Sequence, residues 1–176
     1  MNRIISTLIV SVALSMPAAG FAAMPQSADK GAAAMNMDKA SFLKVVESSN
    51  AFEIESSKMA EQKAKDADVK AFAKQMIADH TKAGKALAEA AKISPDAAPK
   101  LSPKHAAMLK TLEGASEAEF QPLYLDMQAT AHMEAVSLFA TYAKGGDDAA
   151  VKEFAEKTLP VLEMHKMHVT KIVAAQ

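Results

Sequence analysis

From Phe42 onward, apolar residues recur every three or four positions in long stretches separated by short polar breaks, a pattern that predicts four long helices and one short one. The first runs from about Lys39 to Lys65, capped by Asp38, with Phe42, Val46, Phe52 and Ala60 on its stripe. The turn Asp66-Ala67-Asp68 leads into a second helix, about Val69 to Lys92, whose stripe includes Phe72, Met76, His80, Gly84 and Leu87. A third long helix opens on Ser116 and Glu119 at capping-box spacing, tolerates Pro122 in its early turns and stops at Gly145-Gly146. The fourth runs from about Ala149 to Ala174 behind Asp147 or Asp148, and Pro160 predicts a kink near its middle.

The stretch between helices two and three, about Ile93 to Ala115, is unusually long. Pro95, Pro99 and Pro103 keep its first half from being helical, and Ser102 with Pro103 then suits the start of a short helix reaching about Leu112. Extended chain plus that helix can cover roughly 40 Å, the length of the first helix, so the chain can return along the bundle. The expected fold is all-α: a ferritin-like four-helix bundle with a long crossover containing a short extra helix between helices two and three.

Four titratable residues fall on apolar stripes: Glu53, His80, His132 and His165. Glu53 lies about 13 residues before Asp66 and His80 about 14 after it, so an antiparallel hairpin places them level. Asp79 stands on the shoulder of its stripe, where it can accept a hydrogen bond from a ring on a neighbouring helix. His132 and His165 are expected to be offset along their hairpin by roughly 6 Å unless the Pro160 kink or helix tilt corrects it. His105, on the short helix, reads as a solvent or packing residue.

The first 23 residues lack this helical pattern. Arg3, the apolar run Ile4 to Met16, Pro17 and Gly20-Phe21-Ala22 read as a signal peptide cleaved after Ala22 or Ala23, because the run falls short of the about 20 residues that span a bilayer. The expected organisation is a signal peptide over 1–23, a flexible leader over 24–37 and the bundle domain over 38–176, in an exported, periplasmic protein with no transmembrane segment after cleavage. Arg3 is the only arginine, so cleavage leaves 19 lysines against 21 acids and a net charge of −2. Without the planar fork that grips phosphates and guanine edges, nucleic acid is an improbable partner. An envelope partner or a second copy of the chain remains for the outer helix faces. Cysteine is absent, as are a Gly-x-Ser-x-Gly elbow and a His-Glu-x-x-His pair, so conventional hydrolase chemistry is disfavoured.

The residues also carry a resemblance. Glu53-Ile54, Phe72-Ala73-Lys74-Gln75-Met76 with Asp79-His80, Phe120, Tyr124-Leu125 and His132, and Phe154-Ala155, Leu159-Pro160 and His165 resemble the bacterial family called domain of unknown function 4142. The resemblance covers nearly everything from Phe42 to Val173 and implies a ferritin-like fold in the bacterial envelope, without an established activity. Many di-iron relatives of that fold carry Glu-x-x-His pairs. Here Ile77, Ala129 and Leu162 stand three residues before the histidines, which removes most of the support for ferroxidase chemistry.

Two readings of the polar centre follow. The first is a structural or binding protein of the envelope whose buried Glu53 and histidines form a satisfied hydrogen-bond network that fixes helix register. The alternative is a small metal site with Glu53, His80, His132 and His165 as ligands and Asp79 behind them, suited to a divalent transition metal such as zinc, iron or copper. A third reading takes Met164, His165, Met167 and His168, with His132-Met133, as a soft cuprous site, although methionine is also common gap-filling material in cores.

Overall fold

A computed structural model describes residues 37–94 and 101–176. The signal peptide expected over 1–23, the leader up to residue 36 and the crossover residues 95–100 lie outside the described residues. Within them the chain forms five helices and no strand: α1 (Lys39–Lys63), α2 (Ala67–Ala91), α3 (Pro103–Gly114), α4 (Glu117–Gly145) and α5 (Ala149–Ala174). None of these helices is long and apolar enough to cross a membrane.

The caps do what their residue types dictate. Asp38 accepts from the Ser41 amide, Asp66 from those of Asp68 and Val69, Ser102 from that of His105 and Asp148 from those of Ala150 and Val151. Ser116 and Glu119 close a reciprocal capping box at the start of α4. Because Asp66 caps α2, that helix begins at Ala67 and α1 ends at Lys63. Both boundaries fall about two residues earlier than the apolar pattern suggests, so the hairpin turns near Lys65. α5 continues through Pro160 as one helix.

Hydrogen bonds at the helix ends give the directions. At one end Lys39 N donates to Asp147 Oδ1 (2.8 Å) and Lys39 Nζ to Asp148 Oδ2 (2.8 Å), joining the start of α1 to the α4–α5 turn. At the other, Gln121 near the start of α4 accepts from the Lys65 and Asp66 amides (3.2 and 3.0 Å) and donates to Gln176 Oε1 (2.8 Å) beyond α5. Hence α1 and α4 are antiparallel, as are α4 and α5. The long helices pack in the cyclic order α1, α2, α5, α4, with α2 and α4 pointing the same way across the diagonal. Two hairpins joined by one long crossover is the connectivity that separates ferritin-like bundles from simple up-and-down ones.

α3 lies on α1 and α4. Ser48 fastens it: its hydroxyl accepts from the Ser102 amide (2.7 Å) and donates to His105 Nδ1 (2.7 Å), while the His105 ring stacks on Phe52. His105 is thus a buried packing residue of the crossover.

The core has two large apolar layers and a smaller cluster of Phe52, Leu109 and Ala131. One, toward the α1–α2 turn, contains Ala60, Phe72, Met76, Tyr124 and Val169; the other, toward the α4–α5 turn, contains Phe42, Leu87, Phe139, Phe154 and Leu162. In sequence, Glu53, His80, Gln128, His132 and His165 each fall between their helix's contributions to the two layers, and all five are buried. A belt of buried polar groups therefore crosses the middle of the bundle.

Candidate metal centre

His80 from α2, His132 from α4 and His165 from α5 meet in that belt. One ring nitrogen from each lies within 4.8 Å of the others, and the ring centroids stand 5.4–5.7 Å apart. His132 and His165 are 1 % exposed and His80 7 %, so all three rings are buried.

Each ring has one nitrogen committed to an oxygen. His132 Nδ1 donates to the Gln128 backbone carbonyl (2.9 Å), His165 Nε2 to Asp79 Oδ2 (2.9 Å) and His80 Nδ1 to Asn50 Oδ1 (3.0 Å). Carbonyl and carboxylate oxygens only accept, so these bonds place the proton on the bonded nitrogen and a lone pair on the other. The other nitrogens, His80 Nε2, His132 Nε2 and His165 Nδ1, are buried and have no hydrogen-bond partner among the described residues. Burial pushes all three histidines toward the neutral form; His80 is pushed furthest, helped by the two neighbouring rings, while the Asp79 hydrogen bond offsets part of the effect at His165.

A buried acceptor without a partner costs about 1–3 kcal/mol. Three rings that each keep such a lone pair, meet within 4.8 Å and are held from behind by oxygen acceptors could hold a cation. Tetrahedral coordination at about 2.0–2.1 Å sets nitrogens about 3.3 Å apart. Donors no more than 4.8 Å apart need to draw in by at most about 1.5 Å to reach that spacing.

The offset expected between His132 and His165 is absorbed by side-chain direction. Helical side chains lean toward the N-terminus of their helix. In an antiparallel pair, His132 leans away from the α4–α5 turn and His165, three residues farther from it, leans back toward it.

Glu53 does not join the trio. Its Oε1 stands 3.8 Å from His132 Nδ1, the nitrogen already bonded to Gln128, and its Oε2 has no partner. With the hairpin centred near Lys65, the residue of α1 level with His80 is Asn50, one turn before Glu53. The level pair expected of Glu53 and His80 is thus replaced by Asn50 and His80. Gly84 makes room for this: a Cβ there would sit 3.0 Å from the Asn50 amide nitrogen. The apolar pattern alone does not reveal Asn50 as a partner, because it centres the turn about two residues later than the structure does, and that displacement exchanges one helical turn for the next.

The soft-metal reading divides between two faces. His165 points into the core, whereas Met133, Met164 and Met167 are 43–64 % exposed and His168 packs edge-on to Phe72.

Burial raises the Glu53 carboxyl to about 8 from the ordinary 4.5, with Gln128 pulling the other way. A carboxyl raised in the fold contributes stability in full below its unfolded value and loses it as pH rises through the folded one. The depressed histidines act in the opposite sense, and their contribution is complete above about pH 6.5. In chelator-treated protein, then, wild type should lose thermal stability between about pH 6.5 and 8 and level off above, while Glu53→Gln should stay flat. Unfolding scans across that window check this, and parallel curves would show that Glu53 does not titrate there.

Comparison with known families gives one match: the model described as Domain of unknown function (DUF4142) matches residues 24–172. No curated protein and no solved structure matches the chain.

Proposed function

This chain belongs to the DUF4142 family, whose description assigns no activity, and from that premise we propose that it is an exported metal-binding bundle protein whose centre is His80, His132 and His165. One observation carries the reading: the three buried nitrogens left unpartnered belong to the three rings that meet within 4.8 Å. Imidazole donors suit zinc, copper, nickel and ferrous iron, so the ion is a divalent transition metal. Asp79, Asn50 and the Gln128 carbonyl are the outer acceptors that fix ring orientation, and Glu53 is a carboxylate beside His132 that helps balance the charge of a bound cation.

The alternative of a self-sufficient polar network requires each buried group to be satisfied. Glu53 Oε2, Gln128 Oε1 and the three histidine nitrogens are unpartnered among the described residues, which weighs for a ligand and against that network. Export rests on the amino-terminal sequence pattern, and the family match begins at residue 24, just after the expected cleavage.

The test is metal content. Protein purified from the periplasm without affinity-tag metals should carry close to one transition-metal ion per chain, and removing it should lower the unfolding temperature. Metal-free wild type, indifferent to chelator and to added zinc or copper, would overturn the reading.

A further inference from the structure

A cleft of about 880 Å³ is lined by residues of all five helices, and His80 is the member of the trio that lines it. Its walls include Val46, Leu87, Phe139, Phe154 and Leu162, drawn from four helices. Deep clefts with apolar walls and a few polar groups are the ordinary form of small-molecule sites. His80 supplies the second observation, since it is buried, lines the cleft and keeps one nitrogen without a partner.

Three protein ligands leave a metal open to one more, the arrangement of reactive rather than purely structural sites. Of the nearby carboxylates, Asp79 accepts from His165, and the Glu53 oxygen nearest a ring lies 3.8 Å from the nitrogen of His132 that is already bonded to Gln128. A divalent ion on three neutral imidazoles favours an anionic fourth ligand, and on the cleft wall Lys44 and Lys85 outnumber Glu47, which leaves a net positive charge toward an approaching anion. Glu134 on the same wall is engaged by Lys104.

We propose that the cleft admits an unbranched aliphatic monocarboxylate, with its carbon chain along the apolar walls and its head in the coordination position that the three histidines leave open. The proposal rests on the metal reading above. It makes the centre an open, ligand-exchanging site.

The test uses the full chain loaded with cobaltous ion, whose visible absorption reports its ligands. Acetate, butyrate, hexanoate and octanoate are titrated in turn, with hexanol as a matched neutral chain. The expected result is a change in the cobalt bands with every carboxylate and none with hexanol. Affinity should rise by up to about four-fold per methylene, the fold-change matching about 0.8 kcal/mol for each buried CH₂. Thr158→Phe, which narrows the cleft from α5 two turns away from His165, should keep cobalt and lose the dependence on chain length. Cobalt-loaded protein whose spectrum ignores all four acids would overturn the inference and leave the metal reading standing. A band change equal for all chain lengths would overturn the role of the cleft. A protein that takes up no cobalt would end both.

Discussion

Replacing His132 with alanine should abolish stoichiometric metal binding while the protein remains helical. His132 is the most enclosed of the three rings together with His165, and its centroid is 5.7 Å from that of His80 and 5.4 Å from that of His165. Two imidazoles do not fill a transition-metal shell, and the deleted ring leaves a dry pocket between the apolar layers. The loss should exceed the 10- to 100-fold that removal of an outer partner costs. Asp79→Asn supplies that comparison, because an amide oxygen can still accept from His165 Nε2 but without the charge. The measurement is competitive zinc titration against a chromophoric chelator, with far-ultraviolet circular dichroism as the check on folding. Retention of wild-type affinity by the helical alanine variant would remove His132 from the site. His132→Ala also removes the ring's hydrogen bond to the Gln128 carbonyl, which keeps its helical bond to the residue-132 amide, so a destabilisation of about 0.5–1.5 kcal/mol in the metal-free state is expected alongside.

Phe72→Ala should be the most damaging single change to the fold itself. Phe72 is fully buried in the layer toward the α1–α2 turn. Its ring meets Tyr124 at 6.4 Å and His168 at 5.2 Å, and it lies 6.5 Å from His132. Truncating a buried phenylalanine costs about 3–5 kcal/mol, from lost transfer energy and the cavity left behind. For a domain of this size that lowers the unfolding temperature by about 10–20 °C. Phe72→Leu, which refills most of the volume, should recover more than half of the loss. Denaturant melts of the two variants decide this, and equal midpoints for Ala and wild type would mean that the layer closes around the gap.

These two residues illustrate what could be read without coordinates. Phe72 and His132 both sit on stripes of period 3.6, and such stripes face the core in any bundle, so their burial followed from spacing. The caps at Asp38, Ser102, Ser116 and Asp148 were legible for the same reason: each is a short polar side chain placed before an apolar run. The crossover was legible from proline positions and chain length. Asp79 was placed on the shoulder of its stripe, and it reaches His165 across the α2–α5 interface.

What remained illegible depends on axial level. Which residue of α1 faces His80 turns on where the α1–α2 turn is centred, and a displacement of about two residues exchanged Glu53 for Asn50. Whether His132 and His165 meet turns on the opposite lean of side chains in antiparallel helices, which a count of residues from the turn omits. Which ring nitrogen is spent and which is left over depends on acceptors from other helices or the preceding turn.

The sequence by itself determined the class of the fold, the helices and their caps, the long crossover and the identity of the buried polar residues, because each follows from local periodicity and chain length. Only the tertiary structure decided that three histidines converge without Glu53, that each presents one unspent nitrogen, and that a cleft reaches His80. Those facts come from distances between helices brought together by packing, and no single helix carries them.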